Sequence, residues 1–190
     1  MKMPMIALLL SLPLSAVATG GKIVSESVKI KPEQRIQVDM DQGALSVAPT
    51  AGGAMTFRVE FEAERHGWFF GSSAPTARDL ESSTASFDAA KGVLTIRTGR
   101  RLKAKVTIGV PAKQRLAVRL KLGTADIGPV TGKLDASVEV GDLSYDASAL
   151  AAGVCVSASV KSGEVENERD HDCKSVGPVL RGGAGTISVN

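Results

Sequence analysis

Ten cationic side chains lie between Asp88 and Asp126 with no acid among them. If Leu102, Ala104 and Val106 face inward on one strand, and Val118, Leu120 and Leu122 on another, alternation aims Lys103, Lys105, Arg119 and Lys121 outward, close to Arg101. Such a face could hold phosphate-bearing polymers, lipopolysaccharide cores or a phospholipid surface. The alternative is compensation, because Asp126 to Asp172 brings ten acids against three basic residues and adjacent strands can pair opposite charges. Nucleic acid is not expected: the basic window has no aromatic on which a base could stack.

A second constellation is Trp68-Phe69-Phe70, three of the seven aromatics, flanked by Gly67 and Gly71. It reads either as an exposed apolar contact loop or as a lid packed over one end of the fold. Asp126, Asp142 and Glu164 each follow a glycine closely; stacked carboxylates could take Ca²⁺, but Asp and Glu at glycine corners more commonly bond local amides. No metal site is expected from them. His66 and His171 are the only histidines, and no nucleophile elbow, zinc-protease helix or phosphate loop is present. No catalytic residue or cofactor is therefore assigned.

The elements that must position these groups are strands. Ile36, Val38 and Met40, then Met55, Phe57, Val59 and Phe61, then Leu102 to Ile108 and Leu116 to Leu122, all alternate with polar residues, the period of a half-buried strand. Nothing in the mature chain sustains helical spacing. A turn is expected at Gln42-Gly43, and the stretch 64–91, rich in Ser, Ala and Thr, reads as a long loop. In the last third, glycine, a polar residue and an aliphatic recur around Ile127, Leu143, Val165 and Ile187, at steps of 16, 22 and 22 residues. The fold class expected is all-β: a β-solenoid or β-roll of short glycine-punctuated strands, with a β-sandwich as the alternative.

The first residues carry an address. Met1 and Lys2, an apolar run from Ile6 to Leu14, and Ser15-Ala16-Val17-Ala18 follow the order of a cleavable secretory signal. The run is shorter than a spanning helix needs. Residues 1–18 are thus expected to be a signal peptide and 19–190 a single soluble domain, periplasmic or secreted, with no transmembrane anchor after cleavage. Export also places Cys155 and Cys173, the only cysteines, where a disulfide persists. A structural bridge is expected, with two buried thiols as the alternative. Net charge is +3 over the chain, which by itself selects no partner.

Gly92-Val93-Leu94-Thr95-Ile96, the strand end Val106-Thr107-Ile108-Gly109-Val110-Pro111, and Leu116 to Leu120 running into Gly123-Thr124-Ala125-Asp126-Ile127 resemble the bacterial putative-adhesin family called domain of unknown function 4097. Gly141-Asp142-Leu143 and Gly163-Glu164-Val165 continue the likeness, which spans about residues 36–190. The resemblance implies a solenoid-like or roll-like envelope domain and brings no catalytic residues.

The function expected is non-enzymatic surface recognition or scaffolding at the cell envelope. The runner-up is a periplasmic carrier of lipopolysaccharide or another anionic amphiphile, and third comes an envelope glycan-active enzyme. Partners expected are envelope polysaccharide, lipopolysaccharide or a protein. Weak self-association is also expected, through a bare edge at the final strand, Thr186 to Val189.

Overall fold

Alternation becomes strand almost everywhere. The computed structural model describes residues 16–18, 21–32, 34–63, 76–146, 148, 156–160, 164–169, 177–181 and 185–189. The strands are β1 (Ala16–Ala18), β2 (Gly21–Lys29), β3 (Ile36–Thr50), β4 (Ala54–Ala63), β5 (Thr84–Asp88), β6 (Val93–Arg97), β7 (Leu102–Pro111), β8 (Leu116–Ile127), β9 (Leu134–Tyr145), β10 (Val156–Val160), β11 (Glu164–Arg169), β12 (Gly177–Arg181) and β13 (Gly185–Val189). One helix, α1 (Ala77–Ser82), interrupts them, started by a capping box in which Thr76 and Asp79 satisfy each other's backbone. The stretch expected as a long loop thus carries α1 and β5 in its described part, β5 pairing with β6.

The 13 strands form a single sheet with the path β1-β2-β4-β7-β3-β8-β9-β12-β11. β3, β8 and β9 lie parallel and in register, with a step of 18 residues from β8 to β9. Each of the three bends at a glycine, and the glycines stack: Gly43 opposite Gly123, Gly123 opposite Gly141. Their φ angles are 135°, 134° and 130°, outside the range L side chains favour. A Cβ on Gly123 would come within 1.8 Å of the Gly43 carbonyl oxygen, and one on Gly141 within 1.8 Å of that of Gly123.

This column corrects three expectations. Gln42-Gly43 does not separate two strands; it is the bend inside β3. The equivalent residues are not Ile127 and Leu143, since Ala125 stands opposite Leu143 and Ile127 opposite Tyr145. Val165 and Ile187 leave the parallel column altogether, because β11 and β13 pair antiparallel to β12 and to β9 and β10. β13, expected as a bare edge, is covered on both sides by β9 and β10, being inserted between strands.

Each bend shifts the inside–outside phase by one residue. Ile36, Val38 and Met40 are buried before the corner of β3, and Leu45 and Val47 after it. Leu116, Val118 and Leu120, then Ala125 and Ile127, repeat the shift in β8. Leu122, expected inward, is instead 44% exposed. The two legs of each bent strand therefore face one core, which Met55, Phe57, Val59 and Phe61 of β4 and Leu94 and Ile96 of β6 complete. Phe57 of β4 packs against Phe87 of β5, centroids 6.4 Å apart. The Lys22 ammonium donates to the Ser83 carbonyl at 2.7 Å. The result is a nearly closed, barrel-like all-β sheet around a filled interior. Each large aliphatic or aromatic buried there stabilises by about 1.5–3 kcal/mol.

Connections between strands are tied by buried polar groups. Gln114, almost fully buried, donates through Nε2 to the carbonyls of Lys31 and Gln34. The Tyr145 hydroxyl donates to the Val130 carbonyl at 2.9 Å, and burial, with Asp146 adding to it, pushes this phenol up to about 12.

Candidate functional site

Among the described residues the inward side chains are buried and the hollows lie on the outer surface. Strand residues before the glycines form one outer face and those after them another. Lys103 and Lys105 point outward on β7, opposite Glu62 and Glu60 of β4. Arg119 and Lys121 point outward on the first leg of β8. Lys103 and Lys105 line one groove, and Arg119 and Lys121 line another hollow. Arg101 sits in the turn before β7 with φ 63°, a left-handed conformation uncommon for a residue with a side chain.

At the corner itself a groove of about 430 Å³ is lined by Gln42, Gly43 and Ala44, by Glu62, Lys103, Ala104 and Lys105, and by Leu122, Gly123 and Thr124. Its floor is backbone because the stacked glycines carry no side chains. Leu122 and Val140, 44% and 59% exposed, stand in register along the outside of the bend. Lys103 and Lys105 make no ion pair among the described residues, Glu60 being held by Arg58 at 2.6 Å. The groove thus sets two uncommitted ammonium groups beside exposed aliphatic surface.

On the first-leg face, charges are largely spoken for. Asp41 of β3 accepts from Arg97 of β6 at 2.7 Å and from Lys121 of β8 at 2.9 Å. Burial raises the Asp41 carboxyl, but the hydrogen bonds and charges of Lys121 and Arg97 outweigh it and hold the group below its ordinary value. For Arg97 and Lys121 of the basic segment, compensation comes from β3, about 80 residues earlier than Lys121. Beside this pair a smaller hollow of about 230 Å³ is lined by Asp39, Met40, Arg97, Arg119, Leu120, Lys121, Ser137 and Glu139. A third depression, about 510 Å³, runs over Ser25, Ser27, Thr56, Arg58 and Thr107 with Gly109 beneath.

Of the glycine-linked acids, Asp126 accepts from the Ser144 hydroxyl at 2.5 Å, and Glu164 lies on β11, out of the parallel column. No group of three metal-ligating side chains occurs among the described residues. Trp68, Phe69, Phe70, His66, His171, Cys155 and Cys173 lie outside the described residues, as does the expected signal peptide except Ala16–Ala18, which pairs with the start of β2. No helix among the described residues is long and apolar enough to cross a membrane. Asp39, Asp41 and the exposed Leu122 escaped sequence reading. Their roles come from parallel pairing across long sequence separation, for which alternation gives no signal.

No family model matches the chain, and no curated protein matches it. A solved structure described as a putative cell adhesion protein, from Clostridium sporogenes ATCC 15579, is similar at 11% identity, covering 87% of this chain and 86% of that one, with a TM-score of 0.38. A likeness that distant carries no argument about fold or function. The resemblance to domain of unknown function 4097 rests on its short motifs.

Proposed function

We propose that the protein is a non-enzymatic, exported envelope component that works by surface recognition or scaffolding, in the manner of an adhesin, on three parallel coils of a solenoid-like roll. The observation carrying this reading is the division of the molecule: inward side chains from Ile36 to Tyr145 are between 0% and 3% exposed, while the hollows lie on the outer faces. Among the described residues the inward side chains are buried, which favours recognition by outward side chains. The test is sedimentation of the purified mature protein with bacterial outer-membrane vesicles and with cell-wall sacculi. Saturable binding to either supports the reading; none to both removes it.

One observation favours a second reading, a binder of anionic amphiphiles. Lys103 and Lys105 can receive phosphate oxygens while Leu122 meets hydrocarbon over the glycine floor. Binding to phosphatidylglycerol vesicles should then fall about thirty-fold in Lys103→Ala/Lys105→Ala, since each cation near an anionic surface contributes about 1 kcal/mol. Arg119→Ala/Lys121→Ala should lose less, because Asp41 already holds Lys121. Equal losses in both pairs would sink this reading.

A further inference from the structure

The geometry points to the hollow beside Asp39 as a site for a single neutral sugar ring, an inference that rests on the surface-recognition reading and gives it a ligand class. Asp39 lies on β3 opposite Thr95 of β6 on one side and Arg119 of β8 on the other, with Ser137 of β9 one strand further. One carboxylate oxygen, Oδ2, accepts from the Gln37 amide at 2.8 Å. The other, Oδ1, is buried and has no hydrogen-bond partner among the described residues. An acceptor withdrawn from water without a donor is costly, and a donor brought by a ligand removes that cost. Arg119 makes no ion pair among the described residues, so its guanidinium can donate to the same ligand.

Charge narrows the ligand. Asp39 and Glu139 line the hollow together with Arg97, Arg119 and Lys121, and Asp41 already neutralises part of the basic group from behind. A phosphate or sulfate would meet two carboxylates, and a divalent cation would meet three bases without a ligand triad. A neutral polyol suits both signs, because each hydroxyl donates to a carboxylate and accepts from a guanidinium or ammonium. The Ser137 hydroxyl, bonded only to the Val118 carbonyl at a long 3.5 Å, adds a further exchangeable partner. At about 230 Å³ the hollow has room for one ring, so a polymer would present a terminal or side-branch residue.

The experiment is saturation-transfer NMR on the purified protein with methyl α-D-mannopyranoside, methyl β-D-galactopyranoside and N-acetyl-D-glucosamine at millimolar concentration. The expected result is saturable transfer to at least one of them, unaffected by added salt. Asp39→Asn should weaken it about ten-fold, in line with loss of a hydrogen bond to a charged group, and Lys103→Ala should leave it unchanged. Arg119→Gln, at an exposed position, should weaken it similarly and decides the matter if Asp39→Asn fails to fold. No transfer to any of the three sugars, or transfer equal in the folded variants, overturns the site. Absence of sugar binding by the parent protein with its vesicle or sacculus binding intact rejects this inference alone; absence of both rejects the surface-recognition reading as well.

Discussion

At the scale of single residues, the glycine column carries the sharpest consequences. Gly123→Ala introduces a Cβ 1.8 Å from the Gly43 oxygen at a φ of 134°, so overlap and backbone strain act together. A loss of about 4 kcal/mol is expected in urea denaturation. Gly53→Ala is the matched control: a Cβ there meets nothing within 4 Å, and stability should be unchanged or rise by about 0.5 kcal/mol. Asp41 makes a pH-dependent prediction. Its carboxyl, though raised by burial, is held below the ordinary 3.8 by Lys121 and Arg97. The stabilisation is therefore present above that value and lost as pH falls through the lower folded one. Asp41→Asn should cost about 1 kcal/mol at neutral pH, since its partners are half-exposed, and the gap to the parent should narrow and close as pH falls below the ordinary carboxylate range. The glycines were visible in the sequence as a rhythm. Their equivalence was not, because Gly43 joins Gly123 from 80 residues away and no local pattern marks a parallel neighbour.

At the scale of elements, the bend determines which apolar residues are inside. Alternation located the strands of the first two thirds well, since each buries one face only. It failed at Leu122, because a corner shifts the phase and a reader counting by twos passes through it. It also passed over β2, and it missed β5 and α1, which together pack only one partly buried aromatic, Phe87, against the core cluster. That ring nevertheless packs against Phe57. Phe87→Ala should cost about 2 kcal/mol, less than a fully buried phenylalanine, whereas Leu122→Ser should stay within about 0.5 kcal/mol. Thermal unfolding of the two variants side by side checks the contrast.

At the scale of the whole molecule, an all-β architecture was legible from alternation and glycine punctuation, but the surface that performs recognition was not. Arg101, Lys103, Lys105, Arg119 and Lys121 look like one patch in the sequence because they are near one another in it. Lys103 and Lys105 line one groove and Arg119 and Lys121 another hollow, and Asp41 arrives from β3 to hold Lys121. What remains available is outer surface wrapped around a filled core. Covalent footprinting of the protein bound to outer-membrane vesicles tests this most directly, with amine acetylation for lysines and methionine oxidation for the interior. Protection should be confined to outward side chains at the hollows, Lys103 and Lys105 losing reactivity severalfold, while Met40 and Met55, at 2% and 0% exposure, stay unreactive bound or free. Saturated binding that leaves every outward side chain as reactive as before, or that exposes Met40 and Met55 to oxidation, would contradict the account.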